Sequence, residues 1–172
     1  MGKLIATVLL VVALLILWRM MSAGYRGRAL RQRMLPRPLG ARNWEAMTGA
    51  VEGVYVSTTD AENSLDRIAA HGLGTRSAVA VGFVDGGVGF LRQGARSFVV
   101  PVEAIVGVGH GPGMVGKWMG RGDGLVVLRW RIGDRVVDTG VKARHPAEGA
   151  RFAEAVEELV RSRKTDRTEG EQ

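Results

Sequence analysis

The chain of 172 residues contains no cysteine, which excludes disulfide frameworks, thiolate metal sites, redox pairs and cysteine nucleophiles, and leaves nothing that requires an oxidising compartment. Acidic residues are missing from everything up to Arg42, where the basic residues are Lys3, Arg19, Arg26, Arg28, Arg31, Arg33, Arg37 and Arg42. The remainder holds 16 basic against 17 acidic side chains, so the formal charge of +7 belongs to the N-terminal segment and the rest is close to neutral. A neutral domain does not offer the cationic face that nucleic acid needs, and no nucleic-acid partner is expected. Ligand-spaced histidines are also lacking, since His71, His110 and His145 lie far apart. Scattered carboxylates, with Glu157 and Glu158 on the polar side of a helix, give no acid and base pair. No nucleophile, base and oxyanion donor can be assembled from named residues, so neither an enzyme nor a cofactor is expected.

What is present first is a long apolar run. Leu4 to Trp18 is uncharged with Thr7 as its only polar side chain, and it extends to about Ala23 if Arg19 snorkels. About 20 residues at roughly 1.5 Å each cover the hydrocarbon of a bilayer. A cleaved signal peptide would end in a small-x-small site, whereas this run ends in Trp18-Arg19-Met20-Met21. A buried core helix would show a polar face. The expectation is a transmembrane anchor over residues 1–23, with Leu4, Leu10, Val11, Leu15 and Trp18 in the lipid bilayer. Seven arginines follow it and only Lys3 precedes it, which places the N-terminus outside and the remainder in the cytoplasm, at the cell membrane.

Residues 24–42 form a basic juxtamembrane linker. Leu30 and Met34 lie four apart among Arg26, Arg28, Arg31 and Arg33, as in a short helix on the membrane surface, and Pro36, Pro38 and Gly40 read as a hinge. The arginines serve as a topology signal and as candidate contacts for anionic lipid headgroups.

From Asn43 the period becomes strand-like. Strands are predicted at Val51–Ser57, Ser77–Val84, Val88–Arg92, Ser97–Val100, Val102–Val108, Leu125–Ile132 and Val136–Ala143, with turns at Asp85-Gly86-Gly87 and Gly133-Asp134. Asn63-Ser64 predicts a cap for a short helix from Leu65 to His71, ended by Gly72. Pro146 then opens an amphipathic helix whose stripe is Phe152, Val156, Leu159 and Val160. The domain is expected over 43–163 and a polar, disordered tail over 164–172. The fold class is mainly β with α: a seven-stranded open barrel or sandwich closed by a C-terminal amphipathic helix.

Gly111 to Lys117 imitates a phosphate-binding loop, but Trp118 stands where Ser or Thr would hold magnesium, and Met119 to Gly124 cannot sustain the helix such a loop needs. A mobile glycine-rich loop is expected instead. Lys117, Trp118 and Arg121 are candidates for a lipid or partner contact, and the competing reading folds Met114 and Trp118 back onto the barrel.

The anchor, the stretch from Leu65 to Leu73, Val88 to Arg92, Phe98 to Ile105 and Gly124 to Gly133 together resemble actinobacterial single-pass membrane proteins with a pleckstrin-homology-like (PH-like) domain. The resemblance implies a PH-like barrel and brings no catalytic residue. The function expected is a membrane-anchored cytoplasmic binding or scaffolding module for a membrane or cytoplasmic protein or a lipid headgroup. The alternative is an accessory subunit of a membrane transport or export complex.

Overall fold

The computed structural model describes residues 7, 9–19, 35–41, 43–110 and 125–169. Residues 9–19 form a helix, α1, in which nine large apolar side chains from Leu9 to Trp18 are 45–66% exposed. They occupy nearly every position over three turns, so no side of α1 is packed against the domain. Among the described residues no helix is long and apolar enough to cross a membrane. The described part of α1 is roughly 16 Å long, about half of a bilayer's hydrocarbon. It includes Leu10, Val11, Leu15 and Trp18, while Leu4 lies outside the described residues.

Seven strands form one antiparallel sheet: β1 (Thr48–Asp60), β2 (Ser77–Val84), β3 (Gly87–Arg92), β4 (Phe98–Pro101), β5 (Ile105–His110), β6 (Leu125–Ile132) and β7 (Arg135–Ala143). Their order is β4-β3-β2-β1-β7-β6-β5, which puts β1 at the centre and leaves β4 and β5 as edges. β1 serves both halves because it bends. Its first part pairs with β2 up to Tyr55, its second pairs with β7, and the register slips by one residue between Tyr55 and Ser57. A bulge adds twist and turns the strand, so the two halves face each other across one core. The hairpin turns fall where the glycines allow them: Gly86 at φ 81° and Gly133 at φ 58°.

The core is aromatic and branched. Phe90 and Phe98 stack at 4.7 Å, Phe98 continues onto Trp130 at 6.0 Å, and Tyr55 meets both phenylalanines edge-on. The second helix, α2 (Pro146–Glu169), starts where the His145 carbonyl accepts the Glu148 and Gly149 amides. Phe152, Ala153 and Val156 are buried and Leu159 and Val160 half-buried, which is the expected stripe. Burying Phe152 and Val156 contributes about 2 kcal/mol each, enough to hold the helix over the open side of the sheet.

Three expectations are corrected. No helix spans Leu65 to His71: Asn63 makes a single turn, its Oδ1 accepting the Leu65 amide and its carbonyl the Asp66 amide. The backbone beyond then pairs with β1, Ile68 N–H donating to Thr58 and Thr58 N–H to Leu73. β2 has parted from β1 at the bend, so this half of β1 has an open edge that the segment fills. Only Ala70–Gly72 is helical, as a 3-10 turn. The strand expected at Val102–Val108 begins at Ile105, because Pro101 ends β4 and Val102–Ala104 forms another 3-10 turn. The tail is not structureless from residue 164, since α2 runs on to Glu169.

Candidate functional site

A curled sheet that does not close has two edges, and each must be paired, covered or left available. The β4 edge is covered by the chain that leads from α1. Val99 N–H donates to the Leu39 carbonyl at 2.7 Å, the Leu35 side chain enters the core, and His71 Nε2 donates to the Leu35 carbonyl at 2.8 Å. The stretch with Pro36 and Pro38, expected to be a hinge, is therefore seated on the domain. Sequence reasoning placed Leu35 in a basic linker because arginines surround it; its apolar side chain was the overlooked signal.

The β5 edge differs. Ile105 N–H closes the turn on Val102, but from Val106 onward no backbone hydrogen bond among the described residues reaches β5 from outside its ladder with β6. Gly107 and Gly109 pair with Arg129 and Val127 on the outer side, and a side chain built at either glycine would meet nothing within 4 Å. Bare backbone is what a neighbouring chain needs for close approach. Beside this edge a cleft of about 360 Å³ opens toward α2, lined by Ala104, Val106 and Val160 with Glu103, Arg131 and Arg163 at its rim. Val106 is 41% exposed.

Charge at the cleft is unbalanced. Arg129 is held by Asp138 through two bonds of 2.8 Å, and Asp138 keeps its guanidinium above the ordinary value; Arg135 meets Asp60, Arg144 meets Glu52 and Arg161 meets Glu158. Arg131 and Arg163 are exposed and make no ion pair among the described residues. Two cations and one carboxylate, Glu103, thus flank an open strand.

The core behind the edges carries a polar chain rather than a catalytic site. Trp130 Nε1 donates to Thr139 Oγ1 at 2.8 Å, Thr139 Oγ1 lies 2.7 Å from Thr58 Oγ1, Thr58 lies 2.6 Å from the Tyr55 hydroxyl, and Tyr55 donates to the Leu73 carbonyl at 2.8 Å. An indole can only donate and a carbonyl only accept, so every hydroxyl between them must pass its hydrogen the same way. The chain ties β6, β7 and β1 to the segment before β2. Burial pushes the Tyr55 phenol up to about 12, against smaller opposing effects of Thr58 and Arg92. The fold thus favours the protonated phenol: this stabilisation is complete below the ordinary value of 10.0 and is lost as pH rises from there through about 12. Thermal unfolding followed across that window is expected to show a steeper loss for the native chain than for Tyr55→Phe. Arg92, whose own basicity burial lowers and Tyr55 raises, feels the substitution too, so the difference between the two chains reports the Tyr55–Arg92 pair.

Among the described residues no three His, Cys, Asp or Glu side chains are grouped so as to hold a metal. Arg26, Arg28, Arg31, Arg33, Lys117, Trp118 and Arg121, the expected lipid or partner contacts, lie outside the described residues. Residues 33–157 match the family described as Bacterial PH domain-like. No curated protein and no solved structure matches the chain.

Proposed function

The chain belongs to the bacterial PH domain-like family, and from that premise we propose that it is a non-catalytic binding module anchored at the cell membrane, with its domain on the cytoplasmic side. The observation that carries the reading is α1: large apolar side chains on all its sides, none of them buried by the domain. A helix apolar all round needs an apolar environment, and a bilayer supplies one. The run from Leu4, carried on to about Ala23 with Arg19 snorkelling, has the length for it, and the arginines that follow set the direction. Tethering confines the module to two dimensions and raises its effective concentration toward any partner at the membrane. The residues before the domain, Arg26 to Arg33, supply attraction to anionic headgroups, worth on the order of 1 kcal/mol per arginine near the surface.

Because the chain has no cysteine, any introduced thiol is unique. Full-length protein with Gly2→Cys is expected to react with an impermeant maleimide added to intact cells, while Glu45→Cys reacts only after lysis. Both should remain in the membrane pellet after alkaline carbonate extraction. Labelling of Glu45→Cys in intact cells would reverse the topology, and release by carbonate would remove the anchor.

A further inference from the structure

We propose that the free edge of β5 is a docking site for an extended, acidic segment of a partner protein, which adds to the sheet as an eighth strand and lays an apolar side chain in the cleft between β5 and α2. This deepens the binding-module reading and rests on it. The geometry of the two edges argues for it. The β4 edge is satisfied within the chain by Leu39, whereas β5 beyond Ile105 has no backbone partner among the described residues on the side away from β6. Gly107 and Gly109 leave the outer face of β5 bare, and Val106, the residue that bulges between Ile105 and Gly107, carries the one apolar side chain that this stretch presents to the cleft. Strand addition obtains its affinity from main-chain hydrogen bonds and its specificity from pockets that take alternate side chains. Here the pocket is present: Ala104, Val106 and Val160 form an apolar floor in a cleft of about 360 Å³.

The sign of the partner follows from the rim. Arg131 and Arg163, on β6 and α2, have no carboxylate partner among the described residues; exposed Arg76 and Arg96 also lack one, but Arg131 and Arg163 are the two that line this cleft together. Glu103 sits at the same rim, leaving a net single positive charge that selects an acidic over a basic segment. A surplus of cations at an open strand edge also repels a second copy presenting the same cations, which disfavours edge-to-edge self-association.

The test uses the full chain in detergent micelles and a fluorescein-labelled peptide of sequence Thr-Val-Glu-Val-Thr-Val-Glu, with two control peptides. One is N-methylated at every second amide and the other has lysine in place of glutamate. Fluorescence anisotropy is expected to show saturable binding of the first peptide, weakened at least about tenfold by N-methylation and at least about fivefold by lysine. Val106→Asp should weaken it about tenfold, and Arg131→Glu with Arg163→Glu by a similar factor; all three positions are exposed, and unchanged thermal unfolding verifies that the fold persists. Equal binding of the N-methylated peptide, indifference to Val106→Asp and to charge reversal, or no saturable binding at all would each overturn the proposal. So would a Val106→Cys chain that oxidises to a homodimer on dilution to nanomolar concentration, since the edge would then belong to a second copy. Carbonate extraction of the Val106→Asp chain keeps the two readings apart: retention in the pellet with lost peptide binding tells against neither, whereas release tells against the anchor alone.

Discussion

Replacing Arg92 with methionine is expected to destabilise the domain by about 3 kcal/mol and to loosen the chain that enters it from α1. Arg92 is 5% exposed and has no carboxylate partner among the described residues. Its charge is met instead by three acceptors from the loop before β2 and that strand's first residue, the Gly72 carbonyl at 3.0 Å, the Thr75 carbonyl and Ser77 Oγ at 2.9 Å, and by the Tyr55 ring 3.9 Å beneath the guanidinium. Two effects compete on substitution. Removing an unpaired buried cation relieves its desolvation, which is the cause that lowers its basicity, and this favours methionine. Against it stand three charge-assisted hydrogen bonds and a cation–π contact, of roughly 1 to 2 kcal/mol each.

The loop decides between them. His71 at φ 55° and Gly72 at φ 75° are consecutive left-handed residues, and for histidine that conformation persists only where its surroundings hold it. Arg92 supplies that hold, and His71 in turn fixes Leu35. Arg92→Lys should cost nearly as much, because an ammonium cannot reach three acceptors spread around a planar fork. Urea unfolding gives the global effect, and hydrogen exchange at residues 72–77 gives the local one. A methionine variant as stable as the native chain would mean that desolvation dominates the clasp.

Arg92 also shows where sequence reading stops. Ser77–Val84 and Leu125–Ile132 are legible to the residue, because runs of small and branched side chains meet turn glycines whose positive φ the hairpins require. Those are local properties. The helix expected at Leu65 to His71 fails because its signals, a cap at Asn63-Ser64 and a stop at Gly72, are outweighed by a distant need: the open edge of β1 takes up that backbone. Ile68 is buried by that pairing and Leu65, at the turn before it, is 65% exposed. In the same way Arg92 reads as a strand-end charge, and only the curl of the sheet reveals that it lies over Tyr55.

The candidate edge is less legible still. That β5 lies at a margin follows from the order of all seven strands, and that Arg131 and Arg163 share a cleft follows from where α2 crosses β5. Neither is a property of any window of sequence. α1 is the opposite case, since its apolar character is complete in the residues themselves and the structure adds only that the domain does not bury them.

Leu14→Arg is accordingly expected to have the largest effect on where the protein resides, with almost none on the domain. Leu14 lies midway along the apolar run and is 56% exposed on α1, so the substitution disturbs no packing within the fold. In a bilayer it would put a guanidinium near mid-depth, at about 3 kcal/mol on insertion-based scales, which shifts the equilibrium away from the inserted state by roughly a hundredfold. Arg19, close to the headgroups, can snorkel; an arginine at position 14 is about 7 Å deeper and cannot do so without thinning the lipid. The native chain should pellet with membranes and resist carbonate, the variant should be released, and Leu14→Ile should behave as native. Thermal unfolding of the domain should stay the same in all three. Were Leu14→Arg to remain carbonate-resistant, the run would be packed against protein instead of lipid, and an assembly of helices in a transport or export complex would become the better account.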